Sequence, residues 1–103
     1  MVDMKEKALS LLSIAAKAGK VVSGGFMCEN AIKDGTASLV IVAEDASGNT
    51  RKKFTDKTTF YEIPCRIAGT SELLGHRIGK QNRMVVAVTD EGLAKQITNK
   101  LDS

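Results

Sequence analysis

Apolar and polar positions follow two different periods along the chain, and these predict helices and strands in turn. Two continuous apolar runs, residues 39–43 and 84–88, lie between polar residues, a pattern typical of strands buried on both faces. In the stretches between them, apolar residues recur every three or four positions, as on the buried side of a helix. The predicted elements are helix 4–18, strand 20–22, helix 26–33, strand 39–43, helix 50–60, strand 63–67, helix 71–75, strand 84–88 and a helix that follows residue 90.

Short polar residues stand just before three of the predicted helices and support their starting points. The candidate N-caps are Ser47 or Asn49 for the third helix, Thr70 for the fourth, and Thr89 or Asp90 for the last. The strict alternation of helices and strands predicts a single domain over residues 1–103, folded as a three-layer α/β sandwich. By itself, this alternation favours parallel strands.

Composition narrows the class of protein. With 103 residues, 43% hydrophobic and 26% charged, the chain is typical of one globular domain. No apolar run approaches the ~18 residues of a membrane-spanning helix. Residues 1–12 mix charges with apolar residues and so lack the apolar block of a secretion signal, which makes the cytoplasm the expected location.

Few residues are available for catalysis or for binding a metal. The two cysteines, Cys28 and Cys65, and the single His76 are dispersed, so we expect no disulfide scaffold, no metal and no cofactor. A thiol enzyme would need a cysteine beside His76, and a position near a helix start could lower the pKa of Cys28. Buried structural cysteines are the favoured interpretation. Glu44 and Asp45 resemble a catalytic carboxylate pair, but a loop that caps the following helix explains them equally well.

A glycine turn is the first candidate binding feature. The net charge of +3 fits contact with nucleic acid without requiring it. At Gly24-Gly25 a strand turns directly into a helix, which leaves the first amides of that helix free to bind phosphate. Glycines also let a ribose-phosphate backbone approach closely. A plain turn with a cap is the commoner interpretation of this feature on its own.

A basic loop before the last strand is the second candidate. Lys80 and Arg83 could contact phosphates, and Gln81 and Asn82 could reach base edges or riboses. The alternative is an ordinary solvated connection. This loop and the glycine turn can form one site only if they share one edge of the sandwich.

Two other groups of residues are assigned a structural role. On the third helix, the run 51–53 and Lys57 could form a basic ridge, but the solvent-facing side of a helix is the favoured interpretation. The aromatic residues lie on or beside helices and are candidates for the core: Phe26, Phe54, Phe60 and Tyr61. Base stacking is therefore not the expected mode of binding, and recognition of RNA shape and backbone is.

Two segments resemble a known family. Residues 39–53 (LVIVAEDASGNTRKK) and 69–80 (GTSELLGHRIGK) are similar to the ribosomal protein superfamily seven-Ae/thirty-e of the large subunit, and more closely to its bacterial YlxQ-type branch. The resemblance covers about residues 6–97. It implies a three-layer α-β-α sandwich around a small four-stranded mixed sheet. It also implies binding of kink-turns, sharply bent RNA elements, through the start of the second helix and the loop before the last strand.

The family pattern at the second helix is G-x-N-E-x-x-K. Aligned on Gly24, its Asn, Glu and Lys fall on Phe26, Met27 and Asn30, so only the glycine is retained. In the family, the Asn and Glu read the G·A pairs of the kink-turn and the Lys meets the backbone. Together with the charge analysis, the resemblance implies an RNA site formed by Gly24, Gly25, Phe26, Met27, Asn30, Lys33, Lys80, Gln81, Asn82 and Arg83.

The resulting prediction is a non-enzymatic RNA-binding protein. Its expected partner is structured RNA, ribosomal or otherwise kink-turn-like, with no membrane and no small-molecule substrate. The alternative is a protein-interaction module on the same fold that has lost RNA binding. Exposure of Phe26 and Met27 as an apolar patch, with Lys80 and Arg83 paired to acids, would favour that alternative.

Overall fold

Helices and strands alternate along residues 4–103, which a computed structural model describes. For Met4 the model describes the backbone only. Residues 1–3 of the N-terminal stretch considered above lie outside the described residues. The helices are α1 (Met4–Lys17), α2 (Gly25–Lys33), α3 (Gly48–Phe60), α4 (Ser71–Arg77) and α5 (Glu91–Leu101). The strands are β1 (Val21–Ser23), β2 (Leu39–Val42), β3 (Cys65–Ile67) and β4 (Val85–Val88). The predicted order of elements is confirmed, with boundaries that differ by a few residues. None of the helices within residues 4–103 is long and apolar enough to cross a membrane.

The predicted N-caps can be assigned. The Ser47 hydroxyl accepts a hydrogen bond from the Thr50 amide, so Ser47 and not Asn49 caps α3. Thr70 caps α4 in the same way. The Asp90 carboxylate, and not Thr89, caps α5.

The sheet has the strand order β1-β4-β2-β3 and is mixed, as the family resemblance implied. Strand β4 runs antiparallel to both β1 and β2, whereas β2 and β3 are parallel. The all-parallel arrangement suggested by alternation is therefore wrong. The reason is the short helix α4, because the loop after it folds back along the helix and the Arg83 amide donates to the Ser71 carbonyl at 2.9 Å. The chain thus enters β4 at the same end of the sheet at which it left β3.

The helices cover both faces of the sheet, which makes the domain a three-layer α-β-α sandwich. Helices α1, α4 and α5 pack together on one face, and α2 and α3 pack on the other. Every residue of β2 and β4 is buried, as their continuous apolar sequences predicted. The largest side chains of the core come from both helical layers and include Leu12, Phe54 and Ile97.

Candidate nucleic-acid interface

The glycine turn and the basic loop meet at one edge of the sheet. The Nε of Arg83 donates a hydrogen bond to the Ser23 hydroxyl at 3.1 Å, and the Gly24 amide donates to the Val85 carbonyl at 3.0 Å. These bonds follow from the pairing of β1 with β4, which aligns Ser23 with Val86. The two candidate segments, 24–33 and 79–83, are therefore neighbours at their facing ends.

Helix α2 begins without a side-chain cap. Gly24 precedes it at φ 87° and ψ 158°, a region of backbone conformation that is essentially restricted to glycine. Within residues 4–103, no group accepts a hydrogen bond from the amides of Gly25, Phe26 or Met27. These amides and the positive end of the helix dipole point out of the sheet edge, an arrangement that suits an anion.

Helix α4 fixes the backbone of the basic loop. The Lys80 amide donates to the Gly75 carbonyl at 2.8 Å, and a Cβ on Gly75 would lie 1.8 Å from the Gln81 carbonyl oxygen. Only glycine permits this approach, so Gly75 belongs to the site although it contacts no ligand. Our sequence analysis missed it; a glycine inside a predicted helix was the available signal. The side chains of Lys80, Gln81 and Asn82 point into solvent.

Glu44 and Asp45 support the start of α4. Glu44 accepts a hydrogen bond from the Gly69 amide at 2.7 Å, and Asp45 accepts bonds from the amide and the hydroxyl of Ser71, both at 2.7 Å. The bonds from Ser71 hold the pKa of Asp45 below its ordinary value. The carboxylates thus have the structural role that sequence analysis offered as one alternative, although they support α4 and not the following helix, α3.

Two cations face the edge without acidic partners. Within residues 4–103, no carboxylate forms an ion pair with Lys80 or Arg83. Beside them lies an open cleft of about 840 Å³, whose lining includes Leu73, His76 and the loop residues 80–83. Glu72, at the start of α4, is the acidic residue of that lining.

Exposed apolar side chains lie beside these cations. Phe26 is 75% exposed and Met27 49%, on the first turn of α2, and Met84 is 43% exposed at the entry to β4. The protein-interaction alternative required such a patch, and also cations paired with acids. The first condition holds, and the second does not hold for Lys80 or Arg83 within the described chain.

Two of the predicted site residues lie farther along α2. Asn30 is exposed in the second half of the helix, and Lys33 is exposed in its last turn. Lys33 lies eight positions after Gly25 on the helix, which is about 12 Å along the axis. The structure therefore does not bring Lys33 together with Lys80–Arg83.

The basic ridge of α3 is largely neutralised. Lys53 and Lys57 pair with Glu29 of α2 at 2.9 and 3.6 Å, and Lys52 pairs with Asp56 at 2.9 Å. The hydrogen bond from Lys53 lowers the pKa of Glu29. These contacts support the structural interpretation of this run of charges.

The aromatic residues do not all belong to the core. Phe54 is buried, but Phe26, Phe60 and Tyr61 are exposed. Phe60 and Tyr61 lie at the end of α3, where their rings meet edge to face at 5.0 Å. The expectation that all four could be core residues is wrong, because three of the four side chains are exposed.

The cysteines lack the setting that thiol chemistry requires. Burial raises the pKa of the Cys28 thiol to about 12, the opposite of the lowering that its place near a helix start suggested. Burial also raises the pKa of Cys65. No hydrogen bond within residues 4–103 joins either thiol to His76, and the same residues contain no cluster of metal ligands.

Sequence comparison gives the family. The model for the ribosomal protein L7Ae/L30e/S12e/Gadd45 family matches residues 6–98. The RNA-binding protein YlxQ of Bacillus subtilis is 46% identical over 92 residues, which cover 89% of this chain and 92% of that protein. The RNA-binding protein YlxQ of Enterococcus faecium is 38% identical over 92 residues, which cover 89% and 88%.

Solved structures give the same fold. A Bacillus halodurans protein of unknown function superposes with a TM-score of 0.92 at 37% identity, covering 94% of this chain and 98% of that one. The Giardia lamblia 15.5kD RNA binding protein superposes with a TM-score of 0.81 at 17% identity, covering 99% and 88%, and supports the fold alone. The resemblance seen in the sequence is confirmed: the chain belongs to the ribosomal protein L7Ae/L30e/S12e/Gadd45 family, on its YlxQ-type branch.

Proposed function

We propose that this protein binds structured RNA and holds a sharply bent, kink-turn-like segment at the edge formed by the glycine turn and the basic loop. One observation supports this most directly. The hydrogen bond between Arg83 and Ser23 links the basic loop to the start of α2, where, among residues 4–103, neither the first amides nor the cations Lys80 and Arg83 have an acidic partner. The names of the YlxQ relatives, which are RNA-binding proteins, agree with this assignment.

The proposed mode of binding is recognition of shape and backbone. The amides of Gly25, Phe26 and Met27 donate to phosphate oxygens, and Gly25 has no side chain to obstruct the strand. Lys80 and Arg83 neutralise neighbouring phosphates. Such contacts select a bent backbone and depend little on base sequence.

The departure from the family's kink-turn pattern changes how bases are read. Phe26 and Met27 occupy the positions of the Asn and Glu that read G·A pairs, and neither side chain can supply their hydrogen bonds. The exposed Phe26 ring can instead stack on a base splayed out by the bend. Gln81 and Asn82 retain donors and acceptors for base edges or riboses. The bend, more than the identity of the paired bases, is therefore what this site recognises.

A salt titration of RNA binding tests the proposal. The probes are a hairpin RNA with tandem G·A pairs at a kink-turn and the same hairpin with those pairs replaced by Watson–Crick pairs. With about three phosphates neutralised, log K for the bent RNA falls with log salt at a slope of about −2 to −3. Lys80→Ala and Arg83→Ala each weaken binding and make that slope shallower by about 1.

Lys95→Ala is the matched control, because Lys95 is an exposed lysine on α5 away from this edge. It leaves the slope nearly unchanged. Equal binding of the bent and straight RNAs would contradict recognition of shape. An unchanged slope in the Lys80→Ala/Arg83→Ala double variant would contradict the site.

Protein binding is the second candidate function, favoured by the exposure of Phe26 and Met27. Phe26→Ser separates the two. If the ring stacks on a base, this variant weakens binding of the bent RNA without changing the salt slope. If the ring instead binds a protein, RNA affinity stays at the wild-type value.

A further inference from the structure

A second, smaller cleft lies between α1 and α4, on the helical layer next to the proposed RNA site. It measures about 380 Å³ and is lined by Ser13, Ala16, Lys17, His76, Arg77, Ile78 and Gly79. None of these residues is acidic, and three of them can bear a positive charge. The surface therefore suits an anion.

His76 connects this cleft with the larger one. It is exposed and lines both cavities, one turn before Lys80 along the chain. The cationic surface consequently continues from Arg83 and Lys80, past His76, to Lys17. We call the part beyond the proposed bend site, formed by Lys17 and His76, the flanking track.

The charges of the flanking track differ in how far they are already engaged. Arg77 pairs with Glu6 at the start of α1 and is the more buried of the three. Lys17 is exposed, and no carboxylate within residues 4–103 forms an ion pair with it. Lys17 and His76 are thus the groups available for a ligand, whereas Arg77 holds α4 against α1.

The helix ends beside this cleft do not oppose an anion strongly. Free carbonyls at a helix C-terminus carry partial negative charge and repel phosphate. Here backbone amides of residues 18–20 close the last turn of α1, and amides of residues 78–80 close that of α4. Several of the terminal carbonyls on each helix are therefore already satisfied, and the lysine and histidine side chains dominate the surface.

We infer that the flanking track binds the phosphate backbone of the duplex arm that leaves the bent RNA. This inference rests on the proposed function and extends its footprint across the C-terminal end of α4. The contacts are to phosphates and not to bases, since the track offers the Lys17 cation and the ring N–H of His76 at an open surface. It predicts that RNA length, and not only RNA shape, sets the affinity.

Two RNA probes and one variant, Lys17→Ala, test the inference. Both hairpins contain the bend, but in the second the duplex arms are longer by a full helical turn. For the wild-type protein, the long-armed RNA binds more tightly, and its slope of log K against log salt is steeper by about 1, for the additional phosphate that Lys17 neutralises. Lys17→Ala removes this difference in slope and leaves the short-armed RNA bound as in wild type, because Lys17 lies outside the cleft at the bend site. Lys95→Ala serves again as the control.

The outcomes separate the two proposals. If the wild-type protein binds both RNAs equally, and Lys80→Ala still weakens binding, the bend site stands and the flanking track is wrong. If Lys17→Ala retains the full preference for long arms, the flanking track is also wrong. If the wild-type protein binds neither RNA, the proposed function and this inference both fail, and a protein partner becomes the explanation of the exposed edge.

Discussion

Arg83 donates a hydrogen bond from Nε to the hydroxyl oxygen of Ser23 at 3.1 Å, across 60 residues of sequence. Arg83 therefore has two roles at the proposed site, because its charge faces the edge while its Nε ties the basic loop to the glycine turn. A second bond, from Nη1 of Arg83 to the Asn82 carbonyl at 3.0 Å, also ties the guanidinium to its own loop. Variants can separate the two roles.

Ser23→Ala removes the tie and keeps the cation. We expect RNA affinity to fall, since the lost bond comes from a charged guanidinium and such bonds contribute about 1.5–3 kcal/mol, and the salt slope to stay unchanged. Arg83→Ala loses both roles, so its slope becomes shallower by about 1. Titrations of the bent RNA over a salt series measure both. A shallower slope in Ser23→Ala would mean that the tie is needed to place the charge.

Gly25→Ala places a methyl group where a phosphate is proposed to lie. Gly25 has an ordinary φ and empty space around its Cβ position, so the fold is expected to be unaffected. RNA affinity should drop roughly tenfold, because a hydrogen bond to a charged group is worth about 1.5–3 kcal/mol and the methyl group blocks it.

The matched control for this change is Gly48→Ala. Gly48 is likewise the first residue of its helix, α3, and is likewise open to solvent. It should bind RNA as wild type does. Equal affinities for the two variants would show that the strand does not pass over the start of α2.

Gly75→Ala should damage the loop from behind. The new Cβ would overlap the Gln81 carbonyl, 1.8 Å away, so either the loop or α4 must move. We expect a loss of about 1–3 kcal/mol in the free energy of unfolding, as for overpacking, together with weaker RNA binding. Chemical denaturation and the amide chemical shifts of residues 79–83 measure the two effects.

Gly92→Ala in α5 controls for the general effect of alanine in a helix. Its Cβ would meet only the Asp90 carboxylate, at 3.4 Å. Higher helix propensity should make this variant equally or more stable, by up to about 1 kcal/mol. If Gly75→Ala behaves in the same way, the loop does not depend on this contact.

Asp45 makes stability depend on acid pH. Its folded pKa lies below the ordinary value of 3.8 because Ser71 donates two hydrogen bonds to the carboxylate. The stabilisation is therefore fully present above pH 3.8 and is lost as pH falls through the lower, folded pKa. Asp45→Asn should be less stable than wild type at neutral pH and should show a smaller loss on acidification. Urea denaturation at neutral pH and at a pH below 3.8 tests this. Asp56→Asn, a change at an exposed aspartate, is the control.

Glu62→Gly should stabilise the protein. Glu62 follows the last turn of α3 and has a positive φ of 57°. At the equivalent positions after α1, α2 and α4, the residues with positive φ are glycines: Gly19, Gly35 and Gly79. Relief of roughly 1–2 kcal/mol of left-handed strain, less roughly 0.4–1 kcal/mol for the greater freedom of unfolded glycine, leaves a net gain of about 0.5–1 kcal/mol. Glu62→Ala keeps a Cβ and should show no such gain. Equal unfolding free energies for the two variants would assign the effect to the lost charge.

The sequence predicted the elements well and their directions less well. The runs at β2 and β4 are apolar at every position because helices cover both faces of the sheet. The continuous apolar pattern was therefore sufficient to predict these two strands. The reversal of β4 depends on bonds such as that from the Arg83 amide to the Ser71 carbonyl. Such contacts between distant residues leave no periodic signal, and here only the family resemblance supplied the mixed sheet.

The candidate site was predictable where charge and glycine placement suffice, and not where distance matters. Lys80 and Arg83 were identifiable as the cations of a short polar loop. Lys33 was selected as the basic end of the segment 24–33 that the family resemblance pointed to, but the length of α2 separates it from the glycine turn. Gly75 was missed, because its importance comes from the backbone of Gln81 and not from any property of its own.

Strand β4 lies between β1 and β2 although it is the last of the four strands to be synthesised. In a nascent chain that stops before residue 85, β1 therefore has no strand to pair with. The pairing that brings Ser23 beside Arg83 is then absent. Completion of the sheet and assembly of the proposed RNA-binding edge are therefore one event. RNA that binds as proposed is expected to bind chains in which β4 has paired with β1, and not chains that lack β4.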